Sequence, residues 1–246
     1  MTEVERLKSE SGGAQSNEPS LYESLLKEIH AAQHVPVSSL HPRGSVFFSE
    51  GQQARGIYML RAGRAKVSVS SAAGKVLLLK IVRGGDLLGL NATLRNSNYE
   101  ATVQTLEPCV IDFISGFDLR QLLTRSDSVR LAVTAALSQE LTETFELVRY
   151  LTLARSTTEK LSRLLIKWCD EVYDSGRQEI RINPGLTQEE IAQMIGTSRE
   201  TVTRLFAEFR RKQIVSPAGN SIIVRNREAL AILACGEEAV SSESVC

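Results

Sequence analysis

The sequence predicts an α+β protein with an N-terminal double-stranded β-helix (jelly roll), a long dimerisation helix and a C-terminal winged helix-turn-helix. Three observations predict this fold. Short apolar runs alternate with glycines over residues 44–113, a helical period of apolar residues follows, and two capped short helices precede a glycine hairpin. Strand-length runs at this spacing are typical of sandwiches and jelly rolls, and a tight glycine turn between short helices is typical of a helix-turn-helix.

The composition is that of an ordinary globular protein, so any charged surface must be local. The 246 residues carry 29 Lys and Arg against 29 Asp and Glu. A balanced total charge gives no sign of a nucleic-acid partner. The apolar runs are too short for a bilayer and residues 1–20 are polar, so we expect neither a membrane segment nor a secretory signal. Four scattered cysteines favour a reducing compartment, the cytoplasm.

Five segments differ in character. Residues 1–18 and 236–246 are polar and predict a disordered leader and a flexible tail. Residues 19–125 predict the β-roll, in which no helix of useful length fits between the glycines of its central part. A capping box at residues 115–118 predicts a short helix through Thr124. Residues 126–155 predict the long helix, and residues 156–235 the winged helix-turn-helix.

The long helix carries an apolar seam. The alternating four- and three-residue spacing of a coiled coil is followed by Leu137, Leu141, Thr144, Val148 and Leu151. A helix of about 25 residues exceeds what the preceding sandwich needs, which favours pairing with the same helix of a second protomer. The alternative is a helix buried entirely within its own domain.

The C-terminal segment contains the strongest local signals. Thr187 and Glu190 form a capping box, because the threonine hydroxyl accepts a backbone N–H while the glutamate reaches back. Gly196 then ends this helix, and Ser198 is the N-cap of a second one. That second helix turns its apolar residues inward, namely Val202, Leu205, Phe206 and Phe209. Residues 214–224 predict two short strands around a glycine turn, the wing.

The opposite face of the second helix predicts contact with DNA bases. The residues on this face, within the first two turns, are Arg199, Glu200, Thr203 and Arg204. A recognition helix presents side chains to the major groove in this region. Arginine bonds guanine bidentately and glutamate accepts from the cytosine amino group, so the half-site is expected to contain G·C. The surrounding charge is basic, and Lys212 is a candidate phosphate contact.

Both parts of the chain resemble the CRP/FNR family of regulators (cyclic-AMP receptor protein and fumarate-nitrate reduction regulator). The resemblance spans roughly residues 25–235. It is carried by residues 186–192 and 196–204, and upstream by Gly44-x-x-x-Phe48-x-x-Gly51, Ile57-Tyr58 and Gly85-Asp86-Leu87-Leu88-Gly89. The resemblance implies a cyclic-nucleotide-type β-roll that serves as the sensor domain.

The resemblance also implies roles for residues of the helix-turn-helix. It implies base contacts by Arg199, Glu200 and Arg204, and phosphate contacts by Thr187, Gln188, Ser198 and Thr201. An arginine before the glutamate is more similar to the CRP branch, whose half-site resembles TGTGA.

The sequence departs from this family where its members hold a cyclic nucleotide. Nucleotide-binding members carry a Gly-Glu pair for the ribose and a later Arg-Ser pair for the cyclic phosphate. This chain has Gly89-Leu90 and Glu100-Ala101 at those positions. Leu90 cannot accept from a ribose hydroxyl and Glu100 repels phosphate, so this degenerate pocket is not expected to bind cyclic AMP. Arg95 would substitute only if its loop shifted.

Other sensor chemistries have weaker signals. FNR-like iron-sulfur sensors carry several closely spaced N-terminal cysteines, and residues 1–18 contain none. Cys109 and Cys169 lie among apolar residues and are interpreted as packing residues, with redox sensing as the alternative. His30 and His34 have a ligand spacing, but Pro36 soon ends that helix and no third ligand is evident. We therefore expect no metal or cofactor, and either an unidentified small-molecule effector or none.

The sequence thus predicts a transcription regulator that binds a palindromic operator in double-stranded DNA as a homodimer. No nucleophile–base pair or phosphate loop stands out, so we do not expect an enzyme. The resemblance implies contact with RNA polymerase, and no membrane partner is expected. The alternative is a ligand-sensing module (for haem, redox or another small molecule) that acts mainly through another protein, against which the winged helix-turn-helix argues.

Overall fold

The computed structural model describes residues 21–31, 36–172, 179–219 and 221–235. The chain divides into two compact units, residues 1–144 and 145–246. This division falls inside the long helix, and the domain bounds given by the sequence stay predictions. Among the described residues, no helix combines the length and the hydropathy that crossing a bilayer requires.

Two four-stranded antiparallel sheets form the β-roll of the first unit. Its strands are β1 (Val37–His41), β2 (Val46–Phe48), β3 (Gly56–Ala62), β4 (Arg64–Ser70), β5 (Val76–Arg83), β6 (Leu87–Leu88), β7 (Thr102–Thr105) and β8 (Cys109–Ser115). One sheet has the order β1-β8-β3-β6 and the other the order β2-β7-β4-β5. The first strand pairs with the last, the second with the seventh, the third with the sixth and the fourth with the fifth. This nested pairing is that of a jelly roll, so the predicted fold class is confirmed.

Gly63 lets the chain pass from one sheet to the other. It lies between β3 and β4, and its φ of +92° belongs to the left-handed region that favours glycine. A Cβ at this position would lie 2.5 Å from the Pro108 carbonyl oxygen and 2.7 Å from Cys109 Sγ. Both the backbone conformation and the lack of space therefore require glycine here.

Helices close one side of the roll. They are α1 (Leu21–Ala31), α2 (Leu90–Arg95), α3 (Gly116–Arg125) and α4 (Asp127–Leu153). The first turn of α3 is capped as predicted, because the Ser115 hydroxyl accepts from the Asp118 N–H at 3.1 Å. The six residues of α2 follow Gly89, beyond the glycines between which the sequence predicted no helix. An apolar cluster joins these helices to the sheet and includes Leu25, Ile29, Ile57, Met59, Leu90, Ile114, Leu119, Leu122, Val129 and Val133.

A buried carboxylate ties α1 to the sheet. Asp112 on β8 is fully buried and accepts from Arg61 Nη2 on β3 at 2.8 Å and from the Tyr22 hydroxyl on α1 at 3.2 Å. The Ser38 hydroxyl on β1 donates to the same carboxylate. A buried charge is tolerated only when it is paired and hydrogen-bonded, and here donors from three further elements satisfy it.

The second unit forms one core around a three-stranded sheet. Its remaining elements are α5 (Thr157–Val172), β9 (Ile180–Ile182), α6 (Gln188–Ile195), α7 (Arg199–Arg211), β10 (Val215–Ala218), β11 (Ser221–Val224) and α8 (Arg227–Cys235). The predicted wing corresponds to the hairpin β10–β11, and β9, which the sequence did not predict, pairs with β11. The core takes Leu161, Leu165 and Trp168 from α5 and seats both helices of the helix-turn-helix on the same cluster.

Two thiols lie inside these cores. Cys109 and Cys169 are both buried, the first in the β-roll and the second in the helical unit. Burial raises the pKa of each thiol to about 11, with smaller contributions from Glu107 beside Cys109 and from Asp170 beside Cys169. A raised pKa keeps both groups as neutral thiols at physiological pH, which opposes the redox role left open by the sequence.

The Asp112 cluster is expected to stabilise the first unit. Replacing Asp112 with Ala leaves the Arg61 guanidinium without its carboxylate and should lower the free energy of unfolding by about 2–3 kcal/mol. The expected loss is below that of a fully buried pair because 35% of the Arg61 side chain is exposed. Urea unfolding monitored by circular dichroism measures it. The control is Lys80→Ala, which removes a half-exposed ion pair with Glu143 and should cost under about 1 kcal/mol. Equal losses would show that the buried cluster contributes no more than this surface pair.

The two buried thiols are expected to resist alkylation. With a pKa near 11, only about one molecule in a thousand carries the thiolate at pH 8, against about a quarter for an ordinary cysteine. Iodoacetamide labelling of Cys109 and Cys169, followed by peptide mass spectrometry, should therefore be slow in the folded protein and rise with pH. The urea-unfolded chain is the control and should label rapidly. Equal rates in both states would contradict the inferred burial.

Candidate nucleic-acid interface

A complete capping box opens α6. The Thr187 hydroxyl accepts from the Glu190 N–H at 3.2 Å, and the Thr187 N–H donates to the Glu190 carboxylate at 2.8 Å. The threonine hydroxyl also donates to that carboxylate at 3.0 Å. Two of the otherwise unsatisfied donors at this helix start are thus paired, as the sequence predicted.

The turn between α6 and α7 depends on the backbone conformation of one glycine. Gly196 has a φ of +69° and caps the C-terminus of α6, while the Thr197 N–H returns to the Ala192 carbonyl at 2.9 Å. Ser198 then caps α7, accepting from the Thr201 N–H at 3.3 Å. A Cβ at Gly196 would meet nothing closer than Leu151 Cδ2 at 3.9 Å, so glycine is required by the left-handed conformation and not by crowding.

The two faces of α7 have opposite environments. The four predicted core residues are all buried: Val202, Leu205, Phe206 and Phe209. The four predicted base contacts are all exposed on the other face: Arg199, Glu200, Thr203 and Arg204. Because the period of an α-helix is 3.6 residues, burying the first set leaves the second set facing solvent.

The exposed face of α7 is basic. Residues 199–212 contain five Arg and Lys and two carboxylates, Glu200 and Glu208. Hydrogen bonds from its own backbone N–H and from the Ser198 hydroxyl lower the pKa of Glu200, so this residue stays charged and able to accept. A hydrogen bond from Lys212 lowers the pKa of Glu208, and the ion pair has an N–O distance of 2.7 Å. Because Glu208 is paired with Lys212, Glu200 is the ionised acceptor that lies beside Arg199 on this surface.

Four of the predicted phosphate contacts have side-chain hydrogen-bond partners, and one of these bonds joins two of them. Thr187 bonds Glu190, the Ser198 and Thr201 hydroxyls lie 3.1 Å apart, and the Thr203 hydroxyl donates to the Gln188 side chain at 2.6 Å. The Thr203–Gln188 contact joins α7 to α6 and was not predicted, because the two residues are 15 positions apart and only the packed helices bring them together.

Lys212 lies away from the other candidate contacts. It is the C-cap of α7, about 20 Å along the helix axis from Arg199. Beside it is a polar cleft of about 500 Å³ lined by Glu179, Lys212, Gln213, Arg225 and Asn226. Gln213 has a φ of +57°, an uncommon conformation for a residue other than glycine, and no local sequence signal predicted it.

The predicted effector pocket does not have the groups of a phosphate site. The Leu90 side chain is 4% exposed and packs in the cluster beneath the helices, while Ala101 packs on the core of the roll. Glu100 is exposed and accepts from the Asn91 amide at 2.6 Å. Gly89 has a φ of +75°, and a Cβ there would lie 2.6 Å from the Tyr99 ring.

Aromatic rings fill the neighbouring part of the roll. Tyr99 is 2% exposed, stacks on Phe48 with ring centroids 3.9 Å apart, and donates its hydroxyl to the Gly56 carbonyl at 2.6 Å. Phe47, Tyr58 and Phe113 extend this cluster by further ring contacts. Tyr99 was not recognised from the sequence, where an aromatic residue before a polar loop has no distinctive signal.

The predicted seam on α4 is exposed at its centre and covered at its ends. The exposed fractions of Leu141 and Val148 are 56% and 50%, and Thr144 is also exposed. Leu137 and Leu151 are half-buried, and Leu137 packs against the apolar cluster beneath the helices. Phe145 lies next to the seam and is 61% exposed, although it falls outside the heptad positions.

The histidines do not form a described ligand set. His30 lies on α1, and His34 falls outside the described residues. His41 is within hydrogen-bonding distance of the Ser39 hydroxyl, at 2.8 Å, and contacts the edge of Phe47. Within the described ranges, no three His, Cys, Asp or Glu side chains converge as metal ligands would.

Two family profiles match most of the described chain. A profile for the cyclic nucleotide-binding domain matches residues 40–126, and one for the Crp-like helix-turn-helix domain matches residues 159–233. The first match runs from the end of β1 through α3, and the second runs from the first turn of α5 into α8, so it includes α6 and α7.

Curated relatives are similar over nearly their full length. The chain is 24% identical over 228 residues to the CRP-like cAMP-activated global transcriptional regulator of Mycobacterium tuberculosis strain H37Rv, covering 93% of this chain and 98% of the relative. It is 26% identical over 188 residues to the cAMP-activated global transcriptional regulator CRP of Escherichia coli O157:H7, covering 75% and 87%.

Solved structures share the fold. A CooA mutant from Carboxydothermus hydrogenoformans superposes with a TM-score of 0.71 at 17% identity, covering 91% of this chain and 98% of that one. Because both profiles match in the order observed here, and relatives align along both units, the chain belongs to the CRP/FNR family of transcription regulators.

Proposed function

We propose that this regulator binds a palindromic DNA operator as a homodimer and reads G·C-containing half-sites with α7. The observation that carries the proposal is the exposed face of α7, where Arg199, Glu200 and Arg204 lie opposite four buried apolar residues. The proposal requires a location where bacterial DNA is accessible, the cytoplasm. RNA polymerase is the expected protein partner of a regulator bound at an operator.

Base reading follows from the chemistry and spacing of this face. Arg199 and Arg204 are separated by about 7.5 Å along the axis, roughly two base-pair steps. Each guanidinium fits the O6 and N7 acceptors of a guanine, and the ionised Glu200 fits the N4 amino group of a cytosine. The order of charges along this helix face, positive, negative and positive, therefore favours a half-site that contains G·C pairs.

Dimerisation through α4 is supported by its exposed apolar residues. Leu141, Phe145 and Val148 are each at least half exposed on one stretch of helix, which is unusual for a protomer that acts alone. The four- and three-residue spacing places Leu141 and Val148 on a common stripe that a second copy of α4 would cover. A two-fold dimer then requires a palindrome whose half-site centres lie about 34 Å apart.

Cyclic AMP is not the proposed effector at the usual site, although the two curated relatives named above are cAMP-activated regulators. Leu90 is buried in an apolar cluster, Glu100 presents a carboxylate where a phosphate would need positive charge, and the Tyr99 ring lies against Gly89. The effector of this chain is thus proposed to be another small molecule, or none.

The base-reading role of α7 is tested by selecting bound sequences from random duplex DNA. The wild-type protein should enrich a palindrome with G·C in each half, and adding cyclic AMP should not alter the result. Arg204→Ala should weaken binding to that operator by about 1–3 kcal/mol and relax the preference at one position of each half-site. Arg210→Ala, at the other end of the exposed face, is the control and should weaken all sequences equally. An unchanged preference in Arg204→Ala would refute the assignment.

Pairing of two protomers through the α4 seam is tested by placing a charged residue in it. Val148→Glu should convert the dimer to a monomer at micromolar concentration, because two carboxylates would face each other across an apolar contact. Thr142→Glu adds the same charge on the same helix outside the seam and should remain dimeric. Analytical ultracentrifugation distinguishes the two states, and a dimeric Val148→Glu protein would rule out this pairing.

A further inference from the structure

One hydrogen bond links the two helices of the helix-turn-helix on their exposed side. Thr203, in the second turn of α7, donates its hydroxyl to Gln188 Oε1, at the first residue of α6, at 2.6 Å. The backbone carbonyl of Arg199 is a more distant acceptor for the same hydroxyl, at 3.0 Å. The sequence pattern places Thr203 among the base contacts and Gln188 among the phosphate contacts, so this bond joins groups predicted to have different roles.

Thr203 and Gln188 differ in the number of hydrogen-bond donors that they have. A threonine hydroxyl has one hydrogen to donate, and the short contact commits it to Gln188. The Gln188 amide has an oxygen at one end and two N–H donors at the other. Because the amide group is planar, fixing the oxygen on Thr203 also fixes the direction of its NH₂ group.

The capping box increases the importance of that NH₂ group. Both the backbone N–H and the hydroxyl of Thr187 bond Glu190, at 2.8 Å and 3.0 Å. Of the two predicted phosphate contacts at the start of α6, only Gln188 therefore retains side-chain hydrogens for an anion. The N-terminus of a helix attracts phosphate through its dipole and its first backbone N–H groups, so a donor held there lies where a DNA phosphate binds favourably.

We infer that Thr203 is a positioning residue that holds the Gln188 amide with its NH₂ group directed to a DNA phosphate. Thr203 does not read a base in this arrangement. The glutamine side chain would otherwise lose rotamer entropy when it orders on DNA, and the bond to Thr203 orders it beforehand. This inference rests on the proposed function, because it requires α7 to enter the major groove.

Three variants separate positioning from base reading. Thr203→Val removes the hydroxyl with little change in shape and should weaken binding to every sequence about threefold to tenfold. Thr203→Ser keeps the hydroxyl and should restore wild-type affinity. Gln188→Ala should weaken binding at least as much as Thr203→Val, and adding Thr203→Val to Gln188→Ala should weaken it no further, because no amide is then left to position.

A scan of the selected operator with single methylphosphonate substitutions identifies the phosphate. Substitution at one position in each half-site should weaken wild-type binding, weaken binding by Thr203→Val less, and have no further effect on Gln188→Ala. Side-chain amide resonances of Gln188 in the free protein give a DNA-independent measure, and Thr203→Val should make this amide more mobile while Thr203→Ser should not.

The outcomes distinguish this inference from the proposed function. If wild-type protein shows no sequence preference, both are overturned. If wild-type protein selects an operator but Thr203→Val changes the preferred base at one position, Thr203 reads a base and only the positioning role is overturned. The positioning role is also overturned if the Gln188 amide is equally mobile in the wild type and in Thr203→Val.

Discussion

The burial of one side of α7 determines which residues of its helix-turn-helix face solvent. Val202, Leu205, Phe206 and Phe209 lie in a single core together with residues of α5 and of the three-stranded sheet. Rotating α7 about its axis would expose these side chains, and each large apolar side chain removed from the core costs about 1.5–3 kcal/mol. The orientation of Arg199, Glu200 and Arg204 is therefore set by apolar packing, and the capping hydrogen bonds of Thr187 and Ser198 fix where the two helices begin.

The β-roll has the complete jelly-roll fold, although the groups expected to hold a cyclic nucleotide are replaced. Three features hold the β-roll together. They are the nested antiparallel pairing, the connection between the sheets at Gly63, and the buried Asp112 with its hydrogen-bond donors. At the positions where the family resemblance leads us to expect ribose and phosphate contacts, Leu90 belongs to an apolar cluster and Glu100 bonds Asn91. A jelly roll depends on its strand pairing and core, so the residues of its pocket are free to change with the ligand.

Features that depend on adjacent residues could be predicted from the sequence, and features that depend on distant pairs could not. Thr187, Gly196 and Ser198 act on backbone groups within four positions, so their roles were predicted correctly. Asp112 and Arg61 are 51 residues apart, β9 pairs with a strand about 40 residues later, and Thr203 meets Gln188 only after both helices have packed. The α4 seam was predicted from periodicity, but periodicity does not show that Leu137 also packs within its own protomer.

The close packing of the chain at Gly63 affects how Cys109 can be oxidised. This connection between the sheets lies against Cys109, since even one carbon atom added to Gly63 would come within 2.7 Å of the sulfur. An oxygen atom on that sulfur would need space that the connection at Gly63 does not leave, so the sheets must separate locally before an oxidant can react. Oxidised Cys109 would therefore mark molecules whose β-roll had already opened, and it would prevent the roll from closing again.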